Sequence, residues 1–151
     1  MSYIDRLKQM NEIEYCLGAT ENEIKYIEIE LNIILPVQYK KFLSECGMIN
    51  FGDTHIEGVF KTNKETFFPI IEITKILRNE VGLNHEFIVL NYEVDEYADL
   101  YKISNDGNDL GIYGAEITCD ENNQNKIGNL LKQYNSFDEY FYDYFITLEE
   151  E

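Results

Sequence analysis

Helix patterns come first along this chain, strand patterns follow, and one more helix pattern closes it. Thr20 and Glu23 form a capping box, in which each side chain satisfies a backbone N–H at the start of a helix. The apolar residues that follow at helical spacing are Ile24, Ile27 and Leu31. A shorter helix is predicted before it, over residues 4–13.

Two further helices are predicted in the first half. Pro36 begins one of them, because proline at the first helical position loses no hydrogen bond, and Gly47 ends it. Its apolar face consists of Tyr39, Phe42, Leu43 and Cys46. The other covers residues 69–81. Its inward residues are predicted to be Ile73, Ile76 and Leu77.

Short apolar runs bounded by turn residues indicate strands. They cover residues 49–51, 56–60, 87–90, 98–103 and 112–117. A turn over residues 105–108 joins the last two, so the last three strands suggest an antiparallel meander. A second capping box, Ser136 to Glu139, opens the closing helix. Its predicted apolar stripe is Phe137, Tyr140, Phe141, Tyr144, Phe145 and Leu148.

This order predicts an α+β fold with a mixed, mainly antiparallel sheet, flanked by N-terminal helices and a C-terminal helix. With 151 residues, of which 44% are hydrophobic, the chain is expected to form one domain, residues 1–151, without help from disulfides or metal. The three cysteines form no C-x-x-C pair, and we expect all three to be buried.

Charge is distributed unevenly. The formal net charge is −17, with −3 on residues 1–78 and −14 on residues 79–151. Such a chain repels nucleic acid phosphates and suits a basic partner, although acidity can also serve solubility alone. No apolar run is long enough for a signal peptide or a membrane span, which predicts a cytoplasmic protein without membrane contact.

Motifs for chemistry are missing. His55 and His85 have no second histidine at metal-binding spacing, and both are expected in turns or at the surface. The acidic loop at residues 106–111 lacks the calcium ligands of an EF-hand, and no phosphate-binding glycine motif occurs. We therefore expect no cofactor, no metal and no enzymatic activity. The catalytic alternative is a hydrolase in which Asp95, Glu96 and Asp99 supply a general acid.

One segment carries a resemblance to a known family. Residues 35–43 read Leu-Pro-x-x-Tyr-x-x-Phe-Leu, after a helix that begins at Gly18-Ala19-Thr20 and before the segment Cys46 to Gly52. In this the chain resembles the SUKH superfamily. The resemblance extends to the strand at residues 88–90 and to the closing helix. Many members carry a glycine in the turn after that strand, whereas residues 91–97 here contain none.

The resemblance implies a function. SUKH members typically act as immunity proteins against bacterial polymorphic toxins, nucleases included, and a related group regulates cell-wall assembly in yeast. The resemblance implies no cofactor. We expect a basic cognate toxin domain as partner, with no direct nucleic acid binding. The partner-binding residues are predicted to be Tyr92, Glu93, Asp95, Glu96, Tyr97, Asp99 and Tyr101. The alternative is an intracellular scaffold or regulatory module whose acidity serves solvation only.

Overall fold

The computed structural model describes residues 3–8, 14–51, 54–93 and 96–145. The α-helices of these ranges are α1 (Tyr3–Leu7), α2 (Glu21–Leu31), α3 (Val37–Cys46), α4 (Pro69–Glu80) and α5 (Phe137–Glu139). The strands are β1 (Glu14–Tyr15), β2 (Ile49–Phe51), β3 (Thr54–Ile56), β4 (Phe60–Lys61), β5 (Thr66–Phe67), β6 (Phe87–Glu93), β7 (Tyr97–Ile103), β8 (Asp109–Cys119), β9 (Asn125–Ile127) and β10 (Leu131–Tyr134). A π-helical segment, Tyr140–Phe145, follows α5 directly.

The main sheet has the order β10-β8-β7-β6, with β9 also pairing with β8, and every pairing in it is antiparallel. Smaller antiparallel sheets are formed by β1-β2-β3 and by β4-β5. This architecture confirms the predicted α+β class and the meander of the last three predicted strands.

Hydrophobic residues alternate between the two faces of the main sheet. Along β6, Ile88 belongs to the larger core cluster, whereas Phe87 and Val89 belong to the smaller one. The larger cluster includes residues of α1, α2, α3 and α5 and the start of α4, and the smaller one includes Leu77 near the end of α4. We call these the large-core face and the small-core face. Because each face packs on its own cluster, both are covered over most of their area.

The outer edge of β6 is covered by other parts of the chain. The Val89 N–H donates to Thr74 Oγ1 on α4 at 3.0 Å, and the Glu57 N–H donates to the Leu90 carbonyl at 2.7 Å. Thr74 is fully buried. The strand edge therefore presents fewer open hydrogen-bonding groups for pairing with another chain.

The helix starts follow the capping patterns closely. In α2 the Glu23 N–H donates to Thr20 Oγ1, and the Thr20 N–H donates to Glu23 Oε1, so the predicted capping box is confirmed. Pro36 is the N-cap of α3 rather than its first helical residue, since its ψ of 151° is extended. At α5, Ser136 Oγ accepts from the Glu139 N–H as predicted.

Several predictions of burial and extent are wrong. Ile76 is 45% exposed because α4 turns that side of the helix away from the core. Cys46 is buried, but Cys16 is half-buried and Cys119 is exposed near the end of β8. The apolar run 56–60 is not one strand, because Gly58 lies against the Gly47 carbonyl between β3 and β4. His85 lies exposed in a turn as predicted, whereas His55 lies in β3.

The closing helix differs from its prediction in geometry. Phe137, Tyr140 and Phe141 are buried as predicted, but only one α-helical turn forms before the π-helical segment. A wider π-helical turn changes which side chains share a face, so 3.6-residue spacing does not describe the whole stripe. Leu148 of that stripe lies outside the described residues.

Candidate protein-binding surface

The end of the main sheet near the β6–β7 turn carries a row of polar side chains across three strands. Glu93 of β6 pairs with Tyr97 of β7, and Tyr97 pairs with Glu116 of β8. Directly paired residues point to the same face of a sheet, so these three side chains lie side by side. Both glutamates are exposed, and Tyr97 is half-buried. We call these three residues the acidic row.

One step further into the sheet lies a second row, which is buried. It consists of Asn91, Asp99 and Gly114, again paired in register across β6, β7 and β8. The bulge at Leu90 directs Asn91 to the same face as Asp99, which is the large-core face. Asn91 is 6% exposed and Asp99 is 5% exposed.

The Asp99 carboxylate is held by two donors. The Tyr140 hydroxyl donates to Asp99 Oδ2 at 3.0 Å, and the side-chain amide of Asn91 donates to the same carboxylate. Burial nevertheless raises the pKa of Asp99 to about 6, against the opposing effect of these two hydrogen bonds, and the nearby charge of Glu93 raises it further.

Tyr97 lies over the second row. A Cβ atom at Gly114 would overlap the Tyr97 hydroxyl, so only glycine leaves room for the phenol at this position. Gln133 of β10 donates to that hydroxyl through Nε2 at 2.6 Å. Burial and the charge of Asp99 raise the pKa of Tyr97, which keeps the phenol protonated at neutral pH.

The surface is acidic because no cation of the described residues neutralises it. Within those residues, no ion pair involves Glu93, Glu96 or Glu116. Glu96 lies exposed in the turn between β6 and β7, beside the acidic row, and is held through its backbone, whose carbonyl accepts from the Ile117 N–H at 2.9 Å.

The structure brings together only part of the predicted partner-binding set. Glu93, Tyr97 and Asp99 share one face, and Glu96 lies beside them in the turn. Tyr92 points to the opposite face and packs against the smaller core cluster. Tyr101 is fully buried, with its hydroxyl donating to Asp109 Oδ2 at 2.7 Å, so its side chain contributes to the core rather than to the surface.

Asp95 lies outside the described residues. Sequence reasoning missed Glu116, Asn91, Gly114 and Gln133, which the structure adds to this region. The register between neighbouring strands could have located Glu116, Asn91 and Gly114, because these residues pair directly with Tyr97 or Asp99.

Two acids of the hydrolase alternative, Glu96 and Asp99, lie in different surroundings. Glu96 is exposed in the turn, whereas Asp99 is buried and hydrogen-bonded to Tyr140. These two carboxylates therefore do not share one environment, as a coupled pair of acids would. Within the described ranges, no group of three or more His, Cys, Asp or Glu side chains is placed to hold a metal ion. No described helix is long and apolar enough to cross a membrane.

The described residues thus form an α+β fold with an acidic, tyrosine-containing surface at one end of its main sheet. A family model named SUKH_5 and described as SMI1-KNR4 cell-wall matches residues 2–146. The chain belongs to this family, within the SUKH superfamily, as its sequence resemblance indicated. Domains of the family are in general non-catalytic immunity or regulatory modules. No curated protein matches the chain.

Proposed function

We propose that this protein is an immunity protein that binds a basic cognate toxin domain and blocks its active site. The observation that carries the proposal is the acidic row, together with Glu96: three exposed carboxylates at one end of a sheet, none of which forms an ion pair with a cation of the described residues. The family supports a protein-binding role of this kind in general terms.

Charge favours a basic partner. Residues 79–151 carry −14 of the net −17, and the acidic row lies within this part of the chain. Complementary potentials speed the encounter of two proteins and penalise partners of like charge. Tyr97 adds a rigid aromatic contact with a polar tip in the middle of the row, which is a composition enriched at interfaces.

A nuclease toxin suits this surface best. Nucleases hold their substrates through basic channels, since the phosphate backbone dominates nucleic acid affinity. Carboxylates on neighbouring strands offer such a channel a row of negative charges, and an immunity protein seated there excludes the substrate. On this proposal the protein acts in the cytoplasm, where a nuclease toxin meets its substrate.

The experiment is capture followed by a protection assay. The purified protein is used as bait in a lysate of its own organism, at low and at high salt, and retained proteins are identified by mass spectrometry. We expect one basic domain that is retained at low salt and released at high salt. Expressed alone in a test host, that domain should stop growth, and co-expression of this chain should restore growth.

The scaffold alternative predicts a different result. A general regulatory module should retain several housekeeping proteins, and its binding should not depend on salt. That outcome, or a captured domain whose toxicity this chain does not relieve, would overturn the immunity proposal.

A further inference from the structure

The second row contains a buried acceptor that no described group satisfies. Asn91 donates through its side-chain nitrogen to Asp99, while its Oδ1 atom has no hydrogen-bond partner in the described part of the chain. Buried amide oxygens are nearly always paired, and a buried unpaired one destabilises a fold. Asn91 Oδ1 and the Asp99 carboxylate thus place two acceptors on directly paired residues.

Among the described residues, no cation pairs with this row. The titratable groups around Asp99 are the carboxylate of Glu93 and the phenols of Tyr97, Tyr134 and Tyr140, and none of these is a cation. A second buried acid of the described residues, Glu57, has an imidazole beside it, because His55 Nε2 lies 3.3 Å from its Oε1. A buried carboxylate without a cation destabilises the free protein, and a cation supplied from outside would relieve it.

We propose that the second row is a receiving site for an arginine side chain of the partner, whose guanidinium donates to the Asp99 carboxylate and to Asn91 Oδ1. This proposal rests on the proposed function and specifies how its partner is recognised. Arginine fits better than lysine because its planar fork donates to two neighbouring acceptors at once, and because it stacks on aromatic rings. Tyr97 provides such a ring beside the site, over Gly114, which pairs with Asp99.

Tyr97 is also the side chain that must move to admit the arginine. Its phenol lies over Gly114 of the row, and the described bond that holds it there comes from the exposed Gln133 side chain of β10. Rotation of these two side chains opens the row without breaking a backbone hydrogen bond of the sheet. The exposed carboxylates Glu93 and Glu116 flank the opening on either side and attract a cation toward it.

The test uses the full chain and a small probe, so it needs no toxin. N-acetyl-arginine N-methylamide and its lysine counterpart are titrated into labelled protein, and the side-chain carbon signal of Asp99 and the side-chain amide signal of Asn91 are followed by NMR. We expect both signals to respond to the arginine probe, and the lysine probe to bind about tenfold more weakly, as expected for the loss of one charge-assisted hydrogen bond.

Two isosteric variants complete the test. Asp99→Asn removes the buried charge and should abolish the response of the Asn91 amide to arginine. The matched control is Asp106→Asn, an exposed acid in the turn at the other end of β7, which should bind the probe as the unmodified chain does. A third variant, Gln133→Ala, removes the side chain that holds Tyr97 and should tighten arginine binding by a few-fold.

Equal responses to both probes, or an unchanged response in Asp99→Asn, would overturn the arginine site. So would NMR detection of one internal water on Asn91 Oδ1 that both probes leave in place. The two proposals fail separately. A captured toxin that binds Asp99→Asn as tightly as the unmodified chain leaves the immunity role standing and removes the arginine site, whereas a lysate that yields no toxin removes the immunity role alone.

Discussion

Asp99 is buried in the second row next to one carboxylate and several phenols, and burial raises its pKa from 3.8 to about 6. A raised pKa means that the folded state holds a proton more tightly than the unfolded chain does. The free energy of unfolding therefore falls as the pH rises from about 4 to about 6, and the full penalty is present above that range.

The first prediction follows from this penalty. Asp99→Asn keeps the shape of the side chain and removes the charge, so the variant should be more stable than the unmodified chain at pH 8, by roughly 2–3 kcal/mol. At pH 4 the difference should fall below about 1 kcal/mol, because Asp99 is then protonated in the folded state and about half protonated in the unfolded chain. Denaturant unfolding at pH 4, 6 and 8 checks this, and a difference that stays constant with pH would contradict it.

Individual residues also show what the sequence could and could not predict about the site. Glu93, Tyr97 and Glu96 are predicted because acids and tyrosines are dense at the end of β6, and density alone suffices for side chains in or beside an exposed turn. Asp99 and Tyr101 were selected by the same criterion but are buried. Which residues of a strand face the core depends on register, and register becomes known only when the partner strands are placed.

Among the elements, β6 is the strand whose outer edge is covered in part by a buried side chain of α4. Thr74→Val keeps the volume of that side chain but leaves the Val89 N–H without an acceptor. We predict a loss of about 1–3 kcal/mol in the free energy of unfolding, together with faster hydrogen exchange at Val89. Thr118→Val, at an exposed position of β8, is the matched control and should change stability little. Equal effects of the two substitutions would contradict the prediction.

The aromatic contacts of α5 join the two ends of the described chain. The Phe137 ring lies 5.8 Å from Tyr3 of α1, 5.2 Å from Phe42 of α3 and 5.7 Å from Tyr101 of β7, between ring centroids. We predict that Phe137→Ala lowers the free energy of unfolding by about 3–5 kcal/mol. Phe67→Ala, at a half-exposed position of β5, should cost less than about 1 kcal/mol. Thermal or denaturant unfolding compares them, and similar losses would show that the α5 cluster is not central.

The elements with strong local patterns were the predictable ones. A capping box and apolar spacing suffice for α2, and the runs within β6, β7 and β8 are long enough to be recognised in isolation. By contrast, β9 and β10 are short, and β10 is largely exposed, so neither carries an apolar pattern. Both strands form because they pair with β8, not because of a pattern in their own side chains. Such pairing joins separate parts of the chain, so local sequence patterns do not predict it.

For the whole molecule, the uneven charge makes a prediction about kinetics. If the acidic half guides a basic partner, the association rate constant should fall steeply as ionic strength rises, while the dissociation rate constant changes less. Stopped-flow mixing with the captured domain at several salt concentrations measures both. An association rate that does not depend on salt would support the scaffold alternative, in which the net charge of −17 serves solvation.

The fold class was accessible from the sequence at this scale, because the order of helices and strands follows from local patterns and fits the SUKH resemblance. The surface that binds the partner could not be predicted from the sequence in the same way. Residues 79–151 are acidic as a whole, and only the folded sheet distinguishes acids collected in one row from acids scattered over a surface.

The central claim is that the acidic row and Glu96 bind a basic partner. Its most direct test is the affinity of a variant with two reversed charges for the captured basic domain. Isothermal titration calorimetry compares the unmodified chain with Glu93→Lys/Glu96→Lys and with the matched control Glu65→Lys/Asp106→Lys, which makes the same charge change at exposed acids in other turns. We predict that the first pair weakens binding at least about a hundredfold and that the control weakens it only a few-fold. Equal losses would mean that net charge alone attracts the partner, and unchanged affinity in the first pair would contradict the assignment of the acidic row as the binding surface.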